Sequence, residues 1–156
     1  MPLNVGDRAP DFSMPDSSKK EHSLKDFLGK KTVLAFFPGV FTTTCTKEMN
    51  HFKDSLSSLH KGNVNVVGIS VDPPFALKAF AEKYGLNFPL LSDYTREVSK
   101  RYMGVYNDFS GLRGYSASKR AVVVLDEHGK VVYAWSNDNP APEPPYEEID
   151  RALAKK

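Results

Sequence analysis

The chain has 156 residues, 40% of them hydrophobic and 26% charged, with a formal net charge of +2. That length suffices for one domain, residues 1–156, whose core needs no covalent staples, and interspersed, nearly balanced charge gives no footprint for nucleic acid or a membrane surface. A single cysteine excludes an internal disulfide framework; with no apolar run of spanning length and no signal-like core in MPLNVGDRAPDF, a cytoplasmic protein is expected.

In chain order, the polar, turn-rich region Val5 to Ser23 reads as an edge hairpin, and Ser23 to Gly29 as one helical turn closed by glycine. The short apolar run Val33–Phe37 suits a strand covered on both faces, ended by Pro38–Gly39. From Cys45 the apolar residues Met49, Phe52, Leu56 and Leu59 make one helical stripe, with Gly62 marking its end. Val64 to Ser70 predicts a second buried strand, Pro74 to Tyr84 a helix ended by Gly85, and Phe88 to Asp93 a short apolar segment and turn. Thr95 to Met103 predicts a helix capped by Gly104, followed by a Gly- and Ser-rich loop, Asn107–Ser118. Ala121–Asp126 and Val131–Trp135 flank a hairpin signal, and after the proline-rich stretch Asn139–Pro145 a terminal amphipathic helix spans Tyr146 to Ala154. Strands alternating with helices, then an antiparallel hairpin and a last helix, predict an α/β fold with a mixed sheet between helices.

Cys45 carries the chemical interest. Its place on the apolar stripe suits an inert core thiol, since free cysteine is among the most buried residue types. Its local context suits a reactive one. A strand, a Pro–Gly break and Thr42–Thr43–Thr44 place the sulfur in the first turn of a helix, where unpaired N–H groups favour a thiolate. Glu48, one turn on, opposes that charge, so a reactive site needs a cation from elsewhere in the chain. The residues alone leave both readings open.

The string Pro38–Gly39–Val40–Phe41–Thr42–Thr43–Thr44–Cys45 is similar to the peroxiredoxin pattern of proline, three residues, threonine, two residues and cysteine. Gly6 to Phe12, with Ala9–Pro10–Asp11–Phe12, resembles that family's opening, and Asn87 to Asp93 (NFPLLSD) another of its segments. Lys119 to Asp126 with Gly129–Lys130–Val131 resembles its arginine-bearing strand and hairpin, so the similarity runs from about Val5 to Trp135. The resemblance implies a thioredoxin-like fold with an N-terminal β-hairpin extension and a thiol-dependent peroxidase acting on hydrogen peroxide, organic hydroperoxides or peroxynitrite. It implies Cys45 as the nucleophile that becomes a sulfenic acid and Arg120 as the cation beside it. Thr42 would orient peroxide and thiolate, a role compatible with serving as the helix N-cap. Pro38 would shield the pocket and Glu48 would position the arginine. The backbone N–H groups of Thr44 and Cys45 would stabilise charge as the O–O bond breaks.

A resolving cysteine is missing. The position five residues after Cys45, where the bacterioferritin-comigratory-protein branch often carries one, is Asn50. A one-cysteine enzyme is therefore expected, closest to the alkyl hydroperoxide reductase E-like group. Its reductant would be an external thiol: a thioredoxin-, glutaredoxin- or mycoredoxin-like protein, or a small thiol. The resemblance also implies a homodimer meeting through aromatic loop residues such as Phe41 and Tyr106. No metal or other cofactor is expected, because His22, His51, His60 and His128 lack ligand spacing. Thr42 stands where a C-x-x-C dithiol would need its first cysteine, which excludes an ordinary disulfide oxidoreductase. The rival from another class is a non-catalytic thioredoxin-like module that senses redox state or binds a partner.

Overall fold

The computed structural model describes residues 2–56 and 63–155. Strands β1 (Ser13–Pro15) and β2 (Glu21–Ser23) pair antiparallel as the expected N-terminal hairpin. Its turn is closed by Asp16, whose carboxylate accepts from the backbone N–H of Ser18 and Lys20. The turn that follows is a 3-10 helix, Leu24–Phe27, opened by the Ser23 N–H donating to Asp26 Oδ2 at 2.8 Å.

Next come β3 (Lys31–Phe36), α1 (Thr43–His51), β4 (Val64–Ser70) and α2 (Pro74–Tyr84). They are followed by β5 (Leu90–Ser92), α3 (Glu97–Tyr102), β6 (Val105–Tyr106) and β7 (Ala117–Ser118). The chain closes with β8 (Ala121–Leu125), β9 (Val131–Ser136) and α4 (Tyr146–Ala154). Five strands form one mixed sheet in the order β5-β4-β3-β8-β9. The first three run parallel, β8 runs antiparallel to β3, and β9 antiparallel to β8. This is the expected architecture.

The central strand explains the two-sided core. Alternate side chains of a strand point to opposite faces, so Leu34 and Phe36 pack with Phe12, Phe27 and Tyr102 on one face. Val33, Ala35 and Phe37 pack with Cys45, Met49, Phe52 and Phe80 on the other. The register of β3 with β8 sets Phe36 opposite Ala121. The residue before β8, Arg120, therefore lies beside the end of β3, where the chain turns toward α1. Cys45 and Arg120 are brought together by sheet register.

Several elements differ from the sequence reading. The α1 stripe ends in regular helix at His51 and continues as a wider π-type turn, Phe52–Leu56; the expected Leu59 contact and Gly62 stop lie outside the described residues. The loop expected over Asn107–Ser118 contains a 3-10 turn, Phe109–Gly111, and ends in β7, which pairs with β6. Strands of two residues carry too little pattern to read. Helix α3 starts two residues later than expected, because Asp93 accepts from the N–H groups of Val98 and Ser99 and so fixes its first turn.

Gly68 in β4 lets α1 lie close to the sheet. A Cβ there would sit 2.6 Å from Leu90 Cδ2 and 3.3 Å from the Met49 sulfur. Gly68→Ala is expected to destabilise the protein by about 1–3 kcal/mol through overpacking, measured as a lowered urea midpoint; an unchanged midpoint would show that Leu90 yields freely.

Candidate active site

The loop between β3 and α1 is held from below and from the side. Pro38 and Gly39 are buried, and the N–H of Val40 donates to Asp72 Oδ2 at 3.0 Å, where Ser70 Oγ also donates at 2.6 Å. Phe41 takes a left-handed backbone, φ 63°, which costs a non-glycine residue about 1–2 kcal/mol. Its ring meets Phe80 edge-on at 5.2 Å and lies under the Lys83 ammonium at 5.8 Å, contacts that offset the strain.

Thr42 occupies the backbone N-cap position of α1, but its hydroxyl makes no capping bond. It donates instead to the Gly39 carbonyl at 2.8 Å, and it faces the Cys45 sulfur as well. A hydroxyl has one proton, so it serves Gly39 or the sulfur by rotation. The first bond of the α1 ladder joins the Thr46 N–H to the Thr42 carbonyl at 2.9 Å. The N–H groups of Thr44 and Cys45 therefore precede the ladder and point out of the helix end.

Arg120 fills the pocket at the Cys45 sulfur. Its Nη2 donates to Cys45 Sγ at 3.3 Å, and its Nη1 to Glu48 Oε1 at 2.7 Å. Its Nε donates to the Pro140 carbonyl at 2.8 Å. All three side chains are sealed: Cys45 is 1% exposed, Arg120 2% and Glu48 0%. Glu48 is thus no solvated helix residue. Its charge partner sits 72 positions away in the chain.

Burial, the largest influence, pushes the Cys45 thiol above its ordinary pKa; Arg120, Thr42 and a backbone bond from Gly39 pull it down, and Glu48 pushes it up. The sequence implied a depressed thiol. In this closed geometry desolvation outweighs the cation, because the sulfur has almost no contact with water. Burial likewise pushes the Glu48 carboxyl up to about 8 against the pull of Arg120. A 2.7 Å contact alone would suggest a firm ion pair, but a carboxyl wholly removed from water titrates late even beside a guanidinium. Arg120 itself holds its proton more tightly than usual. Burial opposes that, and the combined pull of Cys45 and Glu48 exceeds it.

Two contributors were not legible. The backbone N–H of Arg120 donates to the Tyr106 hydroxyl at 3.2 Å, and that hydroxyl donates to the Asn137 carbonyl. The proline-rich stretch Asn139–Pro145 forms a strap over the site: besides the Pro140 contact, the Ala141 carbonyl accepts from Thr44 Oγ1 at 3.0 Å. Carbonyl acceptors have no sequence identity, which is why no motif revealed them. Among the described residues no group of three His, Cys, Asp or Glu is placed to hold a metal ion.

A buried cysteine at a helix N-terminus, with a guanidinium on its sulfur and a threonine hydroxyl beside it, is a site for splitting a polar, heterolysable bond. Comparison with known proteins gives the same direction. The AhpC/TSA family model matches residues 5–134. Peroxiredoxin Bcp of Escherichia coli K12 is 36% identical over 137 residues, covering 87% of each chain. Two solved structures superpose closely: peroxidoxin BcpB from Mycobacterium tuberculosis, at TM-score 0.79 and 32% identity over 97% of this chain and 95% of that one, and a peroxiredoxin-like protein from Aquifex aeolicus, at TM-score 0.84 and 28% identity over 98% and 87%. The chain belongs to the AhpC/TSA family of peroxiredoxins and is a thiol-dependent peroxidase with a thioredoxin-like fold.

Proposed function

We propose that Cys45 is the peroxidatic nucleophile of a one-cysteine peroxidase that reduces hydrogen peroxide and organic hydroperoxides and is recycled by an external thiol. The observation that carries this reading is the 3.3 Å contact between Arg120 Nη2 and the Cys45 sulfur. In the first step the sulfur lone pair forms an S–O bond while the O–O electron pair departs on the distal oxygen, which leaves as water or an alcohol once protonated. Negative charge thus moves off the sulfur and onto oxygen. Arg120, the Thr42 hydroxyl and the N–H groups of Thr44 and Cys45 surround that path, and donors that strengthen only as charge appears lower the barrier. Pro38 closes the floor of the pocket against water.

Cys45 is the only cysteine in the sequence, so the sulfenic acid has no partner within the chain. An outside thiol attacks its sulfur, forming a mixed disulfide and releasing water; a second thiol then frees Cys45. A lone thiol that has to return to its reduced form suits a reducing compartment, and we place the protein, working as one domain, in the cytoplasm.

The homodimer reading now rests on Phe41, which is 50% exposed, together with Phe75 and Tyr94, 72% and 53% exposed. These rings follow the ends of β3, β4 and β5, so they share one end of the parallel strands. Tyr106 is less suited to the interface, since its hydroxyl is engaged at Asn137 and Arg120.

Mass spectrometry after one equivalent of hydrogen peroxide should find one added oxygen on Cys45, and stopped-flow oxidation should be about 10²–10³-fold slower in Arg120→Ala. The same variant should raise the pH midpoint of Cys45 alkylation, because the pull of the cation is lost, and should lose about 1–3 kcal/mol of stability by leaving the buried Glu48 carboxyl without its partner. Unchanged oxidation in Arg120→Ala would sink the assigned role. Light scattering should give a dimer mass for the wild type and a monomer mass for Phe41→Asp; a monomeric wild type removes the dimer.

A further inference from the structure

Cys45 and Glu48 lie on one face of α1, and both reach the same guanidinium, at 3.3 and 2.7 Å. The Arg120 Nε donates to the Pro140 carbonyl. Among the described residues, Arg120 is the only cation hydrogen-bonded to either acid. One positive charge therefore faces two ionisable acids in a sealed pocket. If both ionise, the cluster carries an uncompensated negative charge that burial strongly penalises.

The two acids are also unequally supported. The sulfur has Arg120, the Thr42 hydroxyl and a backbone bond from Gly39 available to it. Glu48 has Arg120 at Oε1 only, while its buried Oε2 has no hydrogen-bond partner. An orphaned oxygen is far less costly on a neutral acid than on a carboxylate. The other groups facing the pair bring no second cation to it. Glu143, on the strap, adds negative potential at Glu48. Tyr146 of α4 is bound through its hydroxyl to Glu143 and stacks on His51 at 3.5 Å. Tyr106 of β6 stays neutral, its hydroxyl titrating above its ordinary value through burial, and Asp138 beyond it pairs with Lys119 at 2.8 Å.

We propose that Cys45 and Glu48 act as a single titrating unit that holds one proton between them at neutral pH, so that Glu48 takes up the proton as Cys45 becomes a thiolate. The step is a proton transfer without redox change: Cys45–SH and Glu48–COO⁻ become Cys45–S⁻ and Glu48–COOH, the S–H electron pair remaining on sulfur. The upward push that burial exerts on both groups fits a pair in which only one ionises. This inference rests on the reading of Cys45 as the nucleophile, and it supplies that reaction with its proton. Thiolate, protonated Glu48 and ROOH give sulfenic acid, ionised Glu48 and ROH: sulfur is oxidised, the peroxide is reduced, its own proton stays on the sulfenic oxygen and the Glu48 proton ends on the leaving oxygen. Once the sulfur is neutral, Arg120 belongs to Glu48 alone. Glu48 is then a positioning residue that also stores a proton.

The test uses iodoacetamide and no peroxide, so its failure is separate from failure of the peroxidase reading. Alkylating reduced wild-type protein at neutral pH in weak buffer, with an indicator dye, should release one proton per Cys45 modified, because the neutral thioether leaves Glu48 free to ionise against Arg120. In Glu48→Gln the thiol should be alkylated faster and should release far less than one proton. No release from the wild type would mean that Glu48 does not give up a proton when the sulfur is alkylated. A full proton from both proteins would mean that the thiol keeps its own proton and Glu48 has no share; either result overturns the proposal. If Glu48→Gln fails to fold, the wild type alone decides: its carboxyl infrared signal and its thiolate absorbance should titrate together, with the same apparent pKa values, and independent titration overturns the proposal.

Discussion

The site is organised by one guanidinium enclosed where almost no water reaches it. Arg120 has three donor directions in use, toward sulfur, carboxylate and a backbone carbonyl, and each constrains the plane of the group. A lysine would supply the charge but not the fork, since its ammonium is a point charge on a flexible stem. In bulk water such contacts would contribute little; in a pocket where the partners are 0–2% exposed they set which groups can be charged at all. The same enclosure that strengthens the cation's hold on the sulfur also raises the cost of ionising it.

Sheet register makes the enclosure possible. The end of β3 delivers the chain to the Pro38–Thr42 loop, and the antiparallel partner β8 begins at the same level. The β6–β7 ribbon then reaches Arg120 from behind through Tyr106, and the strap after β9 closes over it from the front. A strained residue, Phe41, joins loop to helix, and the loop is tied to β4 through Asp72. The pocket is therefore assembled from β3, α1, β4, β6, β8 and the strap, with no single element able to hold the geometry alone.

Much of this was legible beforehand, and the boundary is physical. Strands such as Val64–Ser70 and helices such as Pro74–Tyr84 announced themselves because apolar periodicity reports which face a regular element buries. The spacing of Pro38, Thr42 and Cys45 pointed to the site through its resemblance to the peroxiredoxin pattern, and the same resemblance supplied Arg120 as the cation. Burial of Glu48 was not readable. It lies beside the apolar stripe of α1, and what covers it is the start of β8 and a proline-rich segment some ninety positions on, as the Thr44 contact to Ala141 shows. The thiol's upward push was missed for the same reason: a helix end can be inferred from local order and the arginine from the family resemblance, whereas loss of water is a property of the whole enclosure. The ribbon of β6 and β7 escaped because two residues per strand establish no alternation.

Reactivity and access pull in opposite directions here. A site closed to water sharpens every donor around a bound peroxide. A reducing thiol carried by another protein is not small, and a sulfur 1% exposed offers it no approach. On the reading proposed above, a protein thiol could reach the sulfenic sulfur only after it had left the pocket. Oxidation itself favours that exit: a neutral sulfenic acid no longer holds Arg120 by charge, so the contact that keeps Cys45 inward is weakened at the step after which it has to open. The strained Phe41 and the π-type turn at Phe52–Leu56 bracket α1 at its two ends, while Met49 and Phe52 anchor the helix in the core against β3. On the reading proposed above, the cation that activates the thiol would also tie the inward position of the sulfur to its charge.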